Sequence, residues 1–226
     1  SMAVAPSSAS RGQIIVQPPY FTSSTFVDAV REDVTLLIQS YADQYERARP
    51  VQPFTLFKDI WVSQGWTWIH FKIFDARSRE IFLKVMMRMF TERTTVAEAP
   101  IRRVGALFGL YIFFNTQPSV SVPQLHSVSH IEVTSDLYDA IIHLPDTLDT
   151  EYLALLRPHV IYVLSDFSKV GAFHILPHSR VHPLNPRELP RELVVEDVTT
   201  KKRGRPSKRE RKKKAKDSLV ALNKWL

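Results

Sequence analysis

Hydrophobic positions settle into a helical rhythm from residue 25 onward. Val27, Val30, Val34, Leu37, Ile38, Tyr41 and Tyr45 recur at steps of three and four, the stripe of an amphipathic helix. Thr25 is placed to cap its start, and Pro50 marks its end. Pro53 opens a second segment in which Phe54, Phe57, Ile60 and Trp61 share one helical face, and Gly65 interrupts it. The aromatic run from Trp66 to Phe74 fits strand and helix equally well. Ser78 is a candidate cap for a third helix, with Ile81, Phe82, Val85, Met86, Met89 and Phe90 as its core face.

Pro100 suits the first turn of a helix running to about Asn115. Every residue from Val104 to Phe114 is apolar or glycine, so this helix is expected to be surrounded by protein. It is far shorter than the roughly 20 residues a bilayer span requires. Gly105 and Gly109 would admit a neighbouring helix closely, or relieve crowding among Phe108, Tyr111 and Phe113; the second reading is preferred. Arg102 and Arg103 sit where the helix dipole disfavours cations, so an acid is expected nearby, either Glu98 or a partner surface. Ser135 is read as the cap of a short helix carrying Leu137, Ile141 and Ile142. Asp149 is read as opening another, which Pro158 kinks or ends. Residues 160–164 are apolar and rich in β-branched side chains, and 171–177 read GAFHILP.

The fold class expected is mainly α: a single multi-helix domain with a central buried helix, a disordered N-terminus and a basic C-terminal tail. The boundaries expected are a disordered segment 1–20, a helical domain 21–182, a Pro-rich linker 183–200, a basic segment 201–216 and a short amphipathic segment 217–226.

Composition narrows the chemistry. Hydrophobic residues make up 44% of the chain, enough for a packed core. Cysteine is absent, which removes disulfides, thiolate metal sites and a thiol nucleophile. With 6 glycines and neither GxGxxG nor GxxxxGK[ST], no phosphate-cradling loop is expected. There is no GxSxG, and Asp136, Asp139, Asp146 and Asp149 are spaced as caps and solvated faces, so an enzyme is not expected. His126 and His130 are four apart, as are His174, His178 and His182, a spacing that ligates zinc on a helix. Pro177 and Pro183 break the second set and a Ser- and Pro-punctuated loop holds the first, so no metal or cofactor is expected. His174 is read as a partly buried structural histidine. The first 20 residues lack a charged segment followed by an apolar one, and a secretory leader is not expected.

The net charge of +7 is unevenly placed. Residues 201–226 hold 12 Lys or Arg against 2 Asp or Glu, leaving the first 200 residues slightly acidic. Within the tail, Arg203-Gly204-Arg205-Pro206 is the core of an AT-hook. Glycine keeps the backbone slim in a narrow minor groove, proline keeps it extended, and the arginines follow the negative potential of A·T tracts. Lys201, Lys202, Arg203, Gly204, Arg205, Pro206, Lys208 and Arg209 are therefore the candidate residues for double-stranded DNA, with the following lysines set to pair with phosphates. The same cluster reads as a nuclear localisation signal, and both roles are compatible. Leu219, Leu222, Trp225 and Leu226 then fall at helical spacing, a segment expected to dock onto the body or a partner.

Three segments resemble subunit 1 of the small nuclear RNA-activating protein complex (SNAPc). FTLFKDIW places Phe54, Phe57 and Trp61 in the family's FxxFxxxW pattern. RRVGALFGLYIFFNTQ, residues 102–117, is similar to its RVGALYxLYxLYNTQ segment. Ala172-Phe173-His174 with Pro177 resembles its AFH segment, which follows a Tyr-containing helix, here the one carrying Tyr162. The resemblance implies a scaffold that joins SNAPc subunit 3 and the large Myb-repeat subunit in a nuclear hetero-oligomer. That assembly recognises the proximal promoter element of small nuclear RNA genes, serves RNA polymerases II and III, and cooperates with the TATA-binding protein. The residues expected to face partners are Phe54, Phe57, Trp61, Arg102, Arg103 and Trp225, and Trp61, Trp66 and Trp68 are read equally as aromatic anchors or as ordinary core. The alternatives are a free-standing AT-hook chromatin tether and a helical adaptor of another nuclear assembly.

Overall fold

The computed structural model describes residues 14–16, 18–122, 124–178 and 194–196. A short strand, β1 (Ile14–Val16), comes first, and a 3-10 turn over Pro18–Thr22 leads into α1 (Ser24–Ala48). The expected apolar stripe of α1 is buried throughout, but Ser23 caps the helix instead of Thr25. Its hydroxyl accepts from the Phe26 N–H at 3.3 Å while donating to the Tyr20 carbonyl at 2.6 Å, tying the entry turn to the helix. Arg49 ends α1 in the left-handed region (φ 42°), its N–H bonded to the Tyr45 carbonyl. Helix α2 (Pro53–Ser63) starts on its proline. Gly65 supplies the positive φ of 79° that turns the chain into a 3-10 helix over Trp66–Phe71, the form taken by the ambiguous aromatic run.

Helix α3 (Ala76–Glu92) is capped by Asp75, whose carboxylate accepts from the Ser78 N–H at 2.8 Å; Ser78 lies inside the first turn as the donor, not at the cap. That backbone bond holds the Asp75 carboxyl below its ordinary pKa. Helix α4 runs from Pro100 to Asn115, as expected, and all of its residues from Arg103 to Leu110 are buried. Strand β2 (Ile131–Thr134) and helix α5 (Ser135–Ile142) follow, then a 3-10 turn over Leu144–Thr147. Thr134 takes the cap position of α5 that was expected for Ser135. The short α6 (Glu151–Ala154) begins two residues after Asp149. Pro158 opens α7 (Arg157–Lys169) instead of ending a helix, because a first-turn proline has no intrahelical N–H bond to lose. The apolar residues 160–164 lie inside this helix. Strand β3 (Phe173–Leu176) then runs parallel to β2, with Ile131 opposite Phe173 and Thr134 opposite Leu176. No described helix is long and apolar enough to cross a membrane.

Helix α4 is the centre of the body, packed against α1, α2, α3 and α7. Its glycines seat aromatic rings from neighbouring helices, not those of α4 itself: Tyr41 of α1 lies over Gly105 and Phe90 of α3 over Gly109. Close approach, the less favoured reading, is the one the packing follows. Edge and tilted ring contacts run through the core from Phe21 and Phe82 to Phe113 and Phe90, on to Trp61 and Phe57, then through Phe108 and Phe54 to Tyr111 and Phe167. Each such pair adds roughly 0.5–1.5 kcal/mol beyond the area it buries.

The loop between α4 and β2 is pinned at both ends by side chains. The Gln117 amide bonds reciprocally to the backbone of Val128, accepting from its N–H at 2.8 Å and donating to its carbonyl at 3.0 Å. Arg79, fully buried, donates to the carbonyls of His126 (2.6 Å), Ile73 (3.1 Å) and His70. One guanidinium thus replaces three water-borne hydrogen bonds that folding removed.

The chain divides into two units, one comprising Gln17–Leu193 with Ser1–Val4, the other Ala5–Val16 with Val194–Leu226. In the second, β4 (Val194–Glu196) pairs antiparallel with β1, Ile15 opposite Val195. These strands fall inside segments expected to be an unstructured N-terminus and a linker; their β-branched residues are suited to pairing. The expected AT-hook over 201–216 and the amphipathic segment 217–226 with Trp225 lie outside the described residues.

Candidate partner interface

Among the described residues, those expected to face partners do not form one surface. Phe57 and Trp61 are buried, their rings spent on Tyr41, Phe108, Trp66 and Phe90. Phe54 is half-buried against Phe108 and Tyr111, with the Lys58 ammonium 5.4 Å from its ring centre. Arg103 is only 3% exposed. Its Nε donates to the Thr94 carbonyl at 3.0 Å and its Nη2 to the Ala140 carbonyl at 2.7 Å. Backbone carbonyls therefore compensate this cation where an acid was expected, and burial lowers its pKa without neutralising it. Arg102 is exposed and faces Glu98 at 3.9 Å, the expected acid, which also accepts from Arg93 at 3.0 Å. Most of this set thus holds the body together.

A different group reaches solvent. In a 3-10 helix residues three apart eclipse one another. Trp66 and Ile69 consequently point inward, while Trp68 and Phe71 point outward, and Phe74 extends the outer row. Trp68 is 65% exposed, Phe74 61% and Phe71 45%, with the Trp68 and Phe71 ring centres 6.3 Å apart. Of the three tryptophans proposed as anchors, only Trp68 is presented to solvent; Trp61 and Trp66 are core.

This aromatic knuckle has a stiff support. His70, between the two exposed rings, is buried and its Nε2–H donates to the Phe113 carbonyl of α4 at 2.9 Å. Burial pushes its pKa down to about 4, so the ring is neutral at physiological pH. Arg79 holds the carbonyls of His70 and Ile73 from below. Exposed Lys72 and Arg77 flank the rings. Beside the knuckle a groove is lined by Leu36 and Ser40 of α1 and by Gln64, Trp66, Ile69 and Lys72. Sequence reasoning overlooked His70 and Arg79; the available signal was a histidine and an arginine embedded among core positions.

Helix α7 exposes Ile161 and Tyr162, with Tyr152 and Leu155 just before it. Behind them the Tyr111 hydroxyl donates to Asp166 at 2.9 Å, and burial followed by that carboxylate raises its pKa well above the ordinary value. His174 is exposed where partial burial was expected, because β3 turns it outward opposite Glu132. Its ring centre lies 6.5 Å from that of His130, and no metal-binding cluster occurs among the described residues.

No curated protein matches the chain significantly. The family model described as Small nuclear RNA activating complex (SNAPc), subunit 1, matches residues 30–222. That span takes in the described body from the second turn of α1 to β3 and all three segments that carried the resemblance. With most of its length matched, the chain belongs to the SNAPc subunit 1 family and is a subunit of the small nuclear RNA-activating transcription complex.

Proposed function

We propose that this chain is the scaffold of a nuclear SNAPc-type assembly, joining subunit 3 and the large Myb-repeat subunit on the proximal promoter element of small nuclear RNA genes. Its work serves transcription by RNA polymerases II and III, in cooperation with the TATA-binding protein. The observation that carries the reading is the knuckle of Trp68, Phe71 and Phe74 on a chain of this family: three large aromatics held outward by a rigid buried network. Exposed aromatics on stiff supports are what protein interfaces are built around. The first 200 residues carry little net charge, so partner affinity comes from apolar contact more than from long-range attraction.

The tail adds the second half of the mechanism. Arg203 and Arg205 enter an A·T minor groove on either side of Gly204, with Pro206 keeping the strand extended. Lys201, Lys202, Lys208 and Arg209 pair with phosphates. Tethered to a subunit that is already at the promoter, a weak hook binds at high effective concentration.

Co-expression with subunit 3 and the N-terminal part of the large subunit, followed by size-exclusion chromatography, tests the reading. Co-elution is expected, weakened by Trp68→Ala with Phe74→Ala. A monomer that elutes alone and binds A·T-rich duplex through residues 201–216 would instead make the chain a free chromatin tether.

A further inference from the structure

The β2–β3 pair is a parallel sheet of two strands. Parallel sheets ordinarily have more strands and cover on both faces. The phase of the pairing shows which backbone groups are left over. The Ile131 N–H donates to the Ala172 carbonyl at 2.7 Å, and Ile131 stands opposite Phe173. Parallel bonding therefore turns the N–H and C=O of His174 towards β2, and those of Phe173 and Ile175 towards the other edge. No described strand lies along that edge, and neither residue makes a backbone bond to that side among the described residues. Pro177, next in the outward phase, has no N–H and closes the row.

The side chains tell the same story. Register puts Phe173 and Ile175 on the sheet face that carries Ile131 and Val133. Ile131 and Val133 are buried, and Phe173 is half-buried, its ring centre 5.5 Å from Tyr138 of α5 and 5.1 Å from Phe167 of α7. Ile175, next along that face, is 52% exposed. The core face thus runs out of cover at the β3 edge, where an apolar side chain and unpaired backbone lie together. Proteins blunt such edges with lysine, proline or a bulge, and Phe173-His174-Ile175-Leu176 carries none of these.

The chemistry of the edge selects its occupant. Alternating backbone donors and acceptors recognise an extended backbone, since a helix has already spent its own N–H and C=O groups. An added strand sets one row of side chains beside Ile175 and the other beside His174, which calls for an apolar residue on the first and a polar one on the second. A second copy of β3 fits poorly. The antiparallel two-fold register that uses both outward residues faces His174 with itself, and covers each Ile175 with a Phe173 whose ring already packs on α5 and α7. We infer that the free edge of β3 takes a short extended segment of a sister subunit as a third strand, an apolar side chain of that segment covering Ile175. The inference rests on the chain's membership of the assembly.

The experiment compares wild type, Ile175→Pro, Ile175→Lys and His174→Pro, each as the full chain. It reads the urea midpoint of the chain alone, its affinity for co-purified subunit 3 and large subunit, and hydrogen exchange at the β3 amides. Ile175→Pro removes an N–H that bonds to nothing within the chain, so its midpoint should stay near that of wild type, as should that of Ile175→Lys. His174→Pro removes a bond to β2 and should lower the midpoint. Both Ile175 variants should bind the sister subunits roughly tenfold more weakly, and assembly should slow exchange at Phe173 and Ile175 about tenfold or more. Wild-type affinity in both Ile175 variants, or amides of Phe173 and Ile175 that stay open in the assembly, would overturn the inference. A midpoint for Ile175→Pro as low as that of His174→Pro would overturn the assigned edge. Protection of the two amides in the chain alone, on self-association, would give the edge to a second copy and overturn the sister-subunit occupant. Failure of the wild-type chain to bind either subunit would overturn the subunit reading itself, and the proposed occupant with it.

Discussion

Replacing Gly109 by alanine sets two effects of opposite sign against each other. Alanine is the better helix former by roughly 1 kcal/mol, and α4 would gain that much if nothing else changed. The new Cβ, however, would lie 2.5, 2.8 and 3.2 Å from three carbons of the Phe90 ring, where carbon pairs rest at about 3.5–4.0 Å. The ring would have to move by about 1 Å to restore contact distance. It has nowhere to go, because it is fully buried between Trp61, Trp66 and Phe113 with ring centres 5.9–6.2 Å away. Overpacking of this kind costs on the order of 3 kcal/mol, so Gly109→Ala should be destabilised by about 2 kcal/mol net. In a body of about 160 residues this lowers the midpoint of thermal unfolding by roughly 4–8 °C. Gly105→Ala is the control. Its Cβ meets Tyr41 Cδ1 at 3.0 Å, Ile38 Cγ2 at 3.5 Å and Tyr41 Cε1 at 3.8 Å, so a shift of a few tenths of an ångström suffices and the two effects should nearly cancel. Urea unfolding followed by tryptophan fluorescence reports both variants, since Trp61 and Trp66 are buried beside Phe90. A Gly109→Ala chain at least as stable as wild type would refute the described packing of α3 on α4.

Arg103→Met should cost on the order of 3 kcal/mol, because the Thr94 and Ala140 carbonyls lose their buried donors; Arg102→Ala should stay within about 0.5 kcal/mol, and equal effects in denaturant titrations would contradict the assignment of the two arginines. The native His70 pKa of about 4 lies below the unfolded value of 6.5, so between these pH values the unfolded chain binds the extra proton. Stability should therefore fall as pH drops from 6.5 towards 4, by as much as about 3 kcal/mol, and level off below. His70→Gln should flatten that part of the urea-midpoint profile, and an unchanged slope would exclude His70 as its source. Trp68→Ser should leave the unfolding midpoint within about 0.5 kcal/mol of wild type, since its ring is largely in water already, while weakening pull-down of sister subunits.

Helix α4 was legible because every local signal agreed: a proline at its first turn, an unbroken apolar run and a polar Asn-Thr-Gln at its end. The stripes of α1 and α3 were legible for the same reason, being long and strictly periodic. Their caps were misplaced by two or three residues, because Thr25 and Ser78 have the right chemistry but Ser23 and Asp75 have the right backbone. The Trp66–Phe74 segment could not be read as helix or strand because its period is three, between the two templates. Pro158 was misread because sequence alone does not tell a first-turn proline from an interior one. The partner-facing residues fared differently. Aromatics at helical spacing, such as Phe57 and Trp61, serve a core as well as an interface, and only burial separates the two. Arg103 looked like a surface cation beside a helix end; carbonyls brought from Thr94 and from Ala140, 37 residues away, make it an interior one.

Chromatin immunoprecipitation of the tagged full chain tests most directly whether it reaches small nuclear RNA promoters as a member of an assembly. Enrichment over the proximal promoter regions of these genes is expected. Trp68→Ala with Phe74→Ala should abolish it by breaking assembly, and Arg203→Ala with Arg205→Ala should reduce it without abolishing it. Signal spread across A·T-rich chromatin, indifferent to the knuckle and lost with the two tail arginines, would contradict it.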